Sequence, residues 1–208
     1  MKSIGYKLIE FFIIFIIIPI SFLFEYQVLI KLIIGVTGFL YIIYVLLKVE
    51  KNTFRIQKNI GWRQFWMHSL MKLVMLAVIT IIFVWFTDKE SLFGVLLNKP
   101  KLWLMILFFY TFFSVYPQEL IYRIFFFQRY QHIFKNEVVF VLLNAALFSL
   151  AHLFLKNTLV LFLTFIGGII FAITYKRTKS TLLVSIEHAI YGCWLFTVGM
   201  GNMLGFPS

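Results

Sequence analysis

The most constraining feature of this sequence is a series of apolar runs, each long enough to cross a lipid bilayer as a helix. Seven such runs occur, at residues 6–24, 28–47, 67–87, 102–127, 137–155, 158–175 and 181–200. About 20 apolar residues cross the hydrocarbon core as a helix. The runs are continuous and lack the alternation of barrel strands. The predicted fold class is therefore all-α, a polytopic transmembrane helical bundle of about seven spans.

Composition supports the same prediction. The chain is 62% hydrophobic and 20% aromatic, and its mean hydropathy is +0.95. A water-soluble domain of this size could not bury so much apolar surface. We predict a single membrane domain over residues 1–208, in a multi-pass protein of the cell membrane that is surrounded by membrane lipids.

The net charge of +11 raises the question of a nucleic-acid partner. Basic residues are scattered over the loops and form no stripe with interleaved aromatic residues, so no nucleic acid is predicted to bind. They predict topology instead, because cytoplasmic loops of membrane proteins are rich in lysine and arginine. With the N-terminus inside and seven spans, twelve basic residues lie inside and four outside, and the four are Lys89, Lys99, Lys101 and Lys156.

The longest polar stretch runs from Val49 to Trp66 and mixes basic with aromatic residues. Its composition favours a solvated basic loop, with a helix lying on the inner leaflet as the alternative. Three further features predict packing. Pro117 is expected to bend the fourth span, Gly167 and Gly168 to permit close helix contact, and residues 125–127, all Phe, to contact lipid or core.

Ionisable side chains within the apolar runs are candidates for function, since each costs several kcal/mol in hydrocarbon unless it is paired or hydrated. Lys31, Lys72 and Glu10 lie near span ends and are expected to snorkel to the interface. The remaining candidates are Glu119 and Arg123 in the fourth span, His152 in the fifth, and Glu187 and His188 in the seventh.

The spacing of these residues predicts one polar layer. Glu119 and Arg123 are four residues apart and project from one helical face. If spans four and five form a hairpin that turns at residues 135–136, Glu119 precedes the turn by as many residues as His152 follows it. At about 1.5 Å per residue the two share one depth, and His188 lies within about one helical turn of it.

Three motifs carry these residues: Gln118-Glu119-Leu-Ile-Tyr-Arg123, Phe148-Ser-Leu-Ala-His152 and Ser185-Ile-Glu-His188. They resemble the motifs of the CPBP family of intramembrane proteases, the CAAX-protease and bacteriocin-processing family, also called Abi or Rce1-like. That family's pattern is Glu-Glu-x-x-x-Arg, Phe-x-x-x-His and His-x-x-x-Asn on successive helices. The resemblance covers a motif-bearing core at about residues 100–200, with the motifs in order and in register.

The resemblance implies an intramembrane endopeptidase that hydrolyses a peptide bond of a membrane-associated peptide or protein substrate. Glu119 matches the second glutamate of the family, Arg123 the arginine, His152 the middle histidine and His188 the last. A carboxylate and a histidine would activate water, and a donor on the last helix would stabilise the oxyanion.

Two positions depart from the family pattern. Gln118 replaces the first glutamate, and Gly192 replaces the final asparagine. A glutamine amide cannot act as a base, and glycine has no side-chain donor. Either Glu119 is the base and Gln118 donates to the oxyanion, or Glu187 supplies the missing carboxylate.

Alternatives from other classes remain at this stage. A catalytically silent member of the family would act as a membrane binding or immunity partner, and a transporter would relay protons through the same acids and histidines. Transport predicts inverted repeats with interrupted helices, and the sequence has neither. The polar residues also fit simple interhelical hydrogen bonding.

Zinc is a further alternative, in which Glu119, His152 and His188 are the metal ligands. The sequence contains no His-Glu-x-x-His motif, and the ligands would come from three separate helices. Glutamate-activated water without a metal is therefore the preferred prediction.

Overall fold

Seven long helices and no strand are present in the computed structural model, which describes residues 3–53 and 61–205. They are α1 (Ile4–Ser21), α2 (Val28–Val49), α3 (Trp62–Thr87), α4 (Pro100–Tyr130), α5 (Glu137–Leu150), α6 (Thr158–Thr178) and α7 (Thr181–Val198). A short helix, Gly94–Asn98, precedes α4, and a 3₁₀ turn, Leu153–Leu155, follows α5. The all-α fold class and the seven predicted spans are confirmed.

Local sequence signals fix several helix ends. Asn136 precedes α5, and its Oδ1 accepts the N–H groups of Val138 and Val139 at 2.9 and 3.1 Å. Ser180 caps α7 in the same way, through the N–H of Leu183. Gly199, with φ 110°, ends α7 in the left-handed conformation that glycine adopts without strain. Polar caps thus mark where the apolar runs begin.

Apolar side chains face outward along the long helices. Val28 is 81% exposed, Phe113 69% and Phe86 83%. A protein with such an apolar surface would aggregate in water, whereas the hydrocarbon of a bilayer solvates that surface. The protein is a multi-pass membrane protein.

The described residues form two compact units. Unit 1 contains α1, α2, the part of α4 from Gln118 onward, α5 and α6 to Arg177. Unit 2 contains α3, α4 up to Pro117, and α7. The single membrane domain over residues 1–208 stays a prediction.

Unit 1 is held by an aromatic core. Phe15 of α1 is fully buried against the rings of Phe125, Phe126 and Tyr130 from α4. Phe126 in turn stacks on Phe140 of α5, with ring centroids 4.7 Å apart. Residues 125–127 are 0–4% exposed, which confirms packing and identifies core contact as its form.

Close helix contact also occurs in unit 1, between α5 and α6. A Cβ added at Gly168 would lie 2.9 Å from Cα of Ala145, whereas one at Gly167 would meet only Phe171 of the same helix. The predicted close approach is therefore made by Gly168.

Unit 2 is organised around α7, which packs on α3 and on the first part of α4. Val95, Ile106 and Phe196 form its buried core. Trp194 donates its indole N–H to Thr80 Oγ1 at 2.9 Å, and Trp103 donates to Thr197 Oγ1 at 2.9 Å. Two indole hydrogen bonds thus fix α7 against α3 and α4.

Helix α4 changes its hydrogen-bonding pattern around the motif. It is 31 residues long, and π-helical turns at Tyr110–Val115 and Leu120–Phe125 flank Pro117. Proline lacks an N–H, so it interrupts the regular α-helical ladder, and π turns are frequent at functional sites. Two widened turns thus flank Pro117, and the bend expected there stays a prediction.

The surface helix considered for Val49–Trp66 falls partly outside the described residues, because residues 54–60 are not among them. Its last part is different from that expectation. Trp62, Phe65 and Trp66 belong to α3, and Phe65 is buried. These aromatic residues are part of a spanning helix, since the apolar run of α3 continues directly from them.

Candidate active site

The predicted site residues fall in both units. Gln118, Glu119, Arg123 and His152 belong to unit 1. Glu187 and His188 belong to unit 2. Each group is built by the packing of its own unit.

The first motif of unit 1 forms a buried ion pair. Nε of Arg123 lies 3.1 Å from Oε2 of Glu119, one helical turn apart on α4, and both side chains are 0% exposed. In a buried site the guanidinium stabilises the ionised carboxylate, which otherwise would be strongly disfavoured. The ion pair thus offsets the cost of burying the Glu119 carboxylate within unit 1.

Asn144 of α5 forms hydrogen bonds with Arg123 and with the backbone of α4. Its Oδ1 accepts Nη1–H of Arg123 at 2.5 Å, and its Nδ2 donates to the carbonyl of Tyr122 at 2.8 Å. Asn144 is fully buried. The amide thus fixes Arg123 and joins α4 to α5, a contribution that sequence reasoning missed because an asparagine in an apolar run was not weighed.

The α4–α5 hairpin has the predicted register. The guanidinium carbon of Arg123 lies 5.1 Å from the ring centroid of Phe148, and Tyr122 meets the same ring at 5.2 Å. Arg123 precedes the turn at residues 135–136 by as many positions as Phe148 follows it. By the same register Glu119 is expected near the depth of His152, which stays a prediction.

His152 lies in the turn that ends α5, with φ −97° and ψ 3°. Its Nδ1 is 2.8 Å from the carbonyl oxygen of Phe148. A carbonyl only accepts, so Nδ1 must carry the hydrogen and a neutral imidazole has its lone pair on Nε2. The backbone thus selects one tautomer and leaves Nε2 as the basic nitrogen.

In unit 2, Glu187 is engaged in packing. Its Oε1 pairs with Nζ of Lys72 and accepts the hydroxyls of Ser69 and Tyr191, at 3.4 and 3.0 Å. The Glu187 side chain is 0% exposed and that of Lys72 is 30% exposed. Lys72 therefore does not simply snorkel to the interface. It neutralises a buried acid, which is the partner that a carboxylate in an apolar helix needs.

His188 shares one face of α7 with Gly192, one turn further on. The ring of Tyr110 from α4 lies edge-on to the imidazole, with centroids 6.1 Å apart. A Cβ added at Gly192 would lie less than 3.0 Å from the hydroxyl oxygen and two ring carbons of Tyr110. Tyr110 therefore fills the space that any side chain at position 192 would need.

Another buried charge cluster lies in unit 1. Glu10 accepts two hydrogen bonds from Arg129, one from Tyr130 and one from Tyr41, at 2.6–3.0 Å. Glu10 is 5% exposed and Arg129 0%. The expectation that Glu10 snorkels is wrong, because α1, α2 and α4 enclose it and supply its donors.

A zinc site needs several histidine, cysteine, aspartate or glutamate side chains close together. Among residues 3–53 and 61–205, no group of three or more histidine, cysteine, aspartate or glutamate side chains is arranged to hold a metal ion. Zinc ligation by Glu119, His152 and His188 stays a prediction, and the chemistry proposed below uses the chain's own acid and bases.

Residues 100–194 match the family model described as type II CAAX prenyl endopeptidase Rce1-like. This segment of the chain is similar to the Rce1-like members of the CPBP family. The Rce1-like match begins at Pro100, the first residue of α4, and includes all three motifs and Gly192. At family level it supports an intramembrane CAAX-type protease. No curated protein and no solved structure matches the chain.

Proposed function

We propose that this Rce1-like protein is an intramembrane endopeptidase that hydrolyses a peptide bond of a membrane-associated substrate. The observation that carries the proposal is the Rce1-like match over the segment that holds Glu119, Arg123, His152 and His188. Burial of Glu119 and the hydrogen bond of His152 Nδ1 to the backbone support this proposal, because a water-activating site needs positioned acid–base groups.

Glu119 is the general base in this proposal. Arg123 forms a buried ion pair with the Glu119 carboxylate within unit 1. Water adds to the carbonyl carbon of the substrate, and its proton passes to Glu119. The same proton then goes to the leaving amine nitrogen as the C–N bond breaks. Positioned acid–base groups of this kind typically contribute about 10²–10⁴-fold to the rate.

His152 orients the attacking water. Because Nδ1 is bound to the carbonyl of Phe148, Nε2 is the nitrogen that accepts a hydrogen from water. His188 and the amide of Gln118 would bind the substrate carbonyl and the oxyanion that forms there. The base role is assigned to Glu119 because Glu119 matches the family motif, whereas Oε1 of Glu187 binds Lys72, Ser69 and Tyr191.

Proteolysis by reconstituted protein tests the proposal. Purified protein in liposomes is incubated with membrane-anchored peptides, both prenylated and unmodified, and products are identified by mass spectrometry. Glu119→Gln and His152→Ala are each expected to lower kcat at least about 10²-fold, since each removes a group that acts on the water.

Matched controls are available at exposed positions. Glu25→Gln removes a carboxylate that is 93% exposed, and His132→Ala removes an exposed histidine outside the motifs. Both should retain wild-type rates. Equal rates in wild type and in the two motif variants would overturn the proposed function.

The silent binding or immunity role is the other outcome of the same assay. It would be supported if the wild type bound a membrane peptide with no cleavage, and if Glu119→Gln bound it equally well. The departures at Gln118 and Gly192 are the observations that favour this role.

A further inference from the structure

Gly192 does not leave an empty place on α7. The hydroxyl and the adjoining ring carbons of Tyr110 occupy the volume into which a side chain at residue 192 would project. Both residues belong to unit 2, so the contact is internal to that unit. Tyr110 of α4 therefore fills the volume that a side chain at position 192 of α7 would occupy.

The packing of Tyr110 fixes where its hydroxyl lies. Its ring meets Phe196 with centroids 4.8 Å apart and His188 at 6.1 Å, so it spans two turns of α7. Its hydroxyl lies over Gly192, between those two contacts along the helix. Tyr110 also opens the π-helical turn Tyr110–Val115, which packs against α7. The close approach of this turn depends on glycine at position 192.

We infer that the Tyr110 hydroxyl is an additional hydrogen-bond donor that stabilises the oxyanion of the tetrahedral intermediate, beside His188. The inference rests on the proposed function. A phenol O–H is a neutral donor that an apolar site tolerates and that keeps its proton at neutral pH. It donates a hydrogen bond and transfers no proton. Gly192 is then the residue that admits the donor.

The chemistry requires a donor fixed before the reaction, because a preorganised donor needs no rearrangement when charge develops. Edge-on contacts to Phe196 and His188 restrict the ring of Tyr110 from two sides. Gly192, over which the Tyr110 hydroxyl lies, is one helical turn from His188, so the imidazole and the phenol lie beside the same part of α7.

Tyr110→Phe is the decisive variant, since it removes one oxygen atom and keeps the ring against Phe196. Loss of one oxyanion donor typically lowers kcat about 10²–10³-fold. We expect that loss with KM within about two-fold of wild type, because the donor acts on the transition state rather than on substrate binding. A peptide phosphinate, which carries a tetrahedral oxyanion, should bind more weakly by a similar factor.

Tyr116→Phe is the matched control. Tyr116 lies on the same helix and is 46% exposed, on the outer surface of the helix. It should cleave at the wild-type rate. If Tyr110→Phe also cleaves within about two-fold of wild type while Glu119→Gln does not, the inference is overturned and the proposed function stands.

A double variant tests the exchange of donors directly. Gly192→Asn alone should displace Tyr110 and lose activity, because its Cβ would overlap the phenol. Tyr110→Ala with Gly192→Asn makes room for the amide and should cleave at least about ten-fold faster than Tyr110→Ala alone. No recovery, with the double variant monodisperse and folded, would contradict the inference. Equal rates in wild type and Glu119→Gln would instead remove the proposed function beneath it.

Discussion

Each buried carboxylate among the described residues is paired with a cation. Glu119 has Arg123, Glu187 has Lys72 and Glu10 has Arg129. An unpaired charge in an apolar interior costs several kcal/mol, so removal of one partner is far more damaging than loss of an exposed pair. The consequences of substitution therefore depend on burial and on the number of donors.

Glu10 and Glu50 provide a comparison at this scale, because both bind Arg129. Glu10 is almost fully buried and accepts four hydrogen bonds, whereas the Glu50 side chain is 20% exposed and accepts one from Arg129 at 2.8 Å. Glu10→Gln should lower the free energy of unfolding by about 3 kcal/mol and Glu50→Gln by about 1 kcal/mol or less. Thermal unfolding in detergent measures both, and equal losses would contradict this account.

Helix α7 has buried polar residues that contact two different helices. Glu187 and Tyr191 contact α3 through Lys72 and Ser69, whereas His188 and Gly192 contact Tyr110 of α4. One side of α7 therefore packs on α3 through polar contacts, and another side carries the third motif and packs on Tyr110. Neighbouring residues in sequence, Glu187 and His188, serve separate contacts.

Lys72→Met should destabilise unit 2 by about 3 kcal/mol, because it leaves Glu187 buried without its cation. Adding Glu187→Gln removes the orphaned charge and should recover at least half of that loss. The double variant should also cleave substrate at close to the wild-type rate, since neither residue acts on water in this account. A folded but inactive double variant would show that Glu187 is the base.

Sequence reasoning found the helices because each span is a single continuous apolar run, and caps such as Asn136 and Ser180 mark where two of them begin. It found the hairpin register because α4 and α5 are adjacent in the chain and joined by a short turn. It missed Asn144 beside Arg123, Lys72 beside Glu187 and Tyr110 over Gly192. Those pairs join residues distant in sequence, and apolar periodicity carries no information about which helices meet.

At the scale of the whole molecule, the distribution of basic residues predicts how the chain lies in the membrane. The α4–α5 turn with Lys135 is assigned to the inside and the α5–α6 turn with Lys156 to the outside. Odd-numbered and even-numbered helices then cross in opposite directions. An additional crossing would reverse the assignment of every later loop.

Cysteine labelling tests this topology in intact cells, with Cys193→Ser as the background because Cys193 is the sole native cysteine. A membrane-impermeant maleimide should label Lys156→Cys from outside and label Lys135→Cys only after permeabilisation. The Lys156 side chain is 66% exposed, which makes the thiol accessible. Labelling of Lys135→Cys from outside, with Lys156→Cys labelled only after permeabilisation, would show an inverted topology. Identical labelling of the two positions would show that the number of crossings differs from the prediction.

The central claim is that buried Glu119 and His152 activate water to hydrolyse a peptide bond. Cleavage of a membrane-anchored peptide in H₂¹⁸O tests it most directly, with mass spectrometry of the new C-terminal carboxylate. The account predicts one ¹⁸O in that carboxylate for wild type, and at least about 10²-fold less product for Glu119→Gln and His152→Ala. Undiminished labelled product from both variants would contradict it.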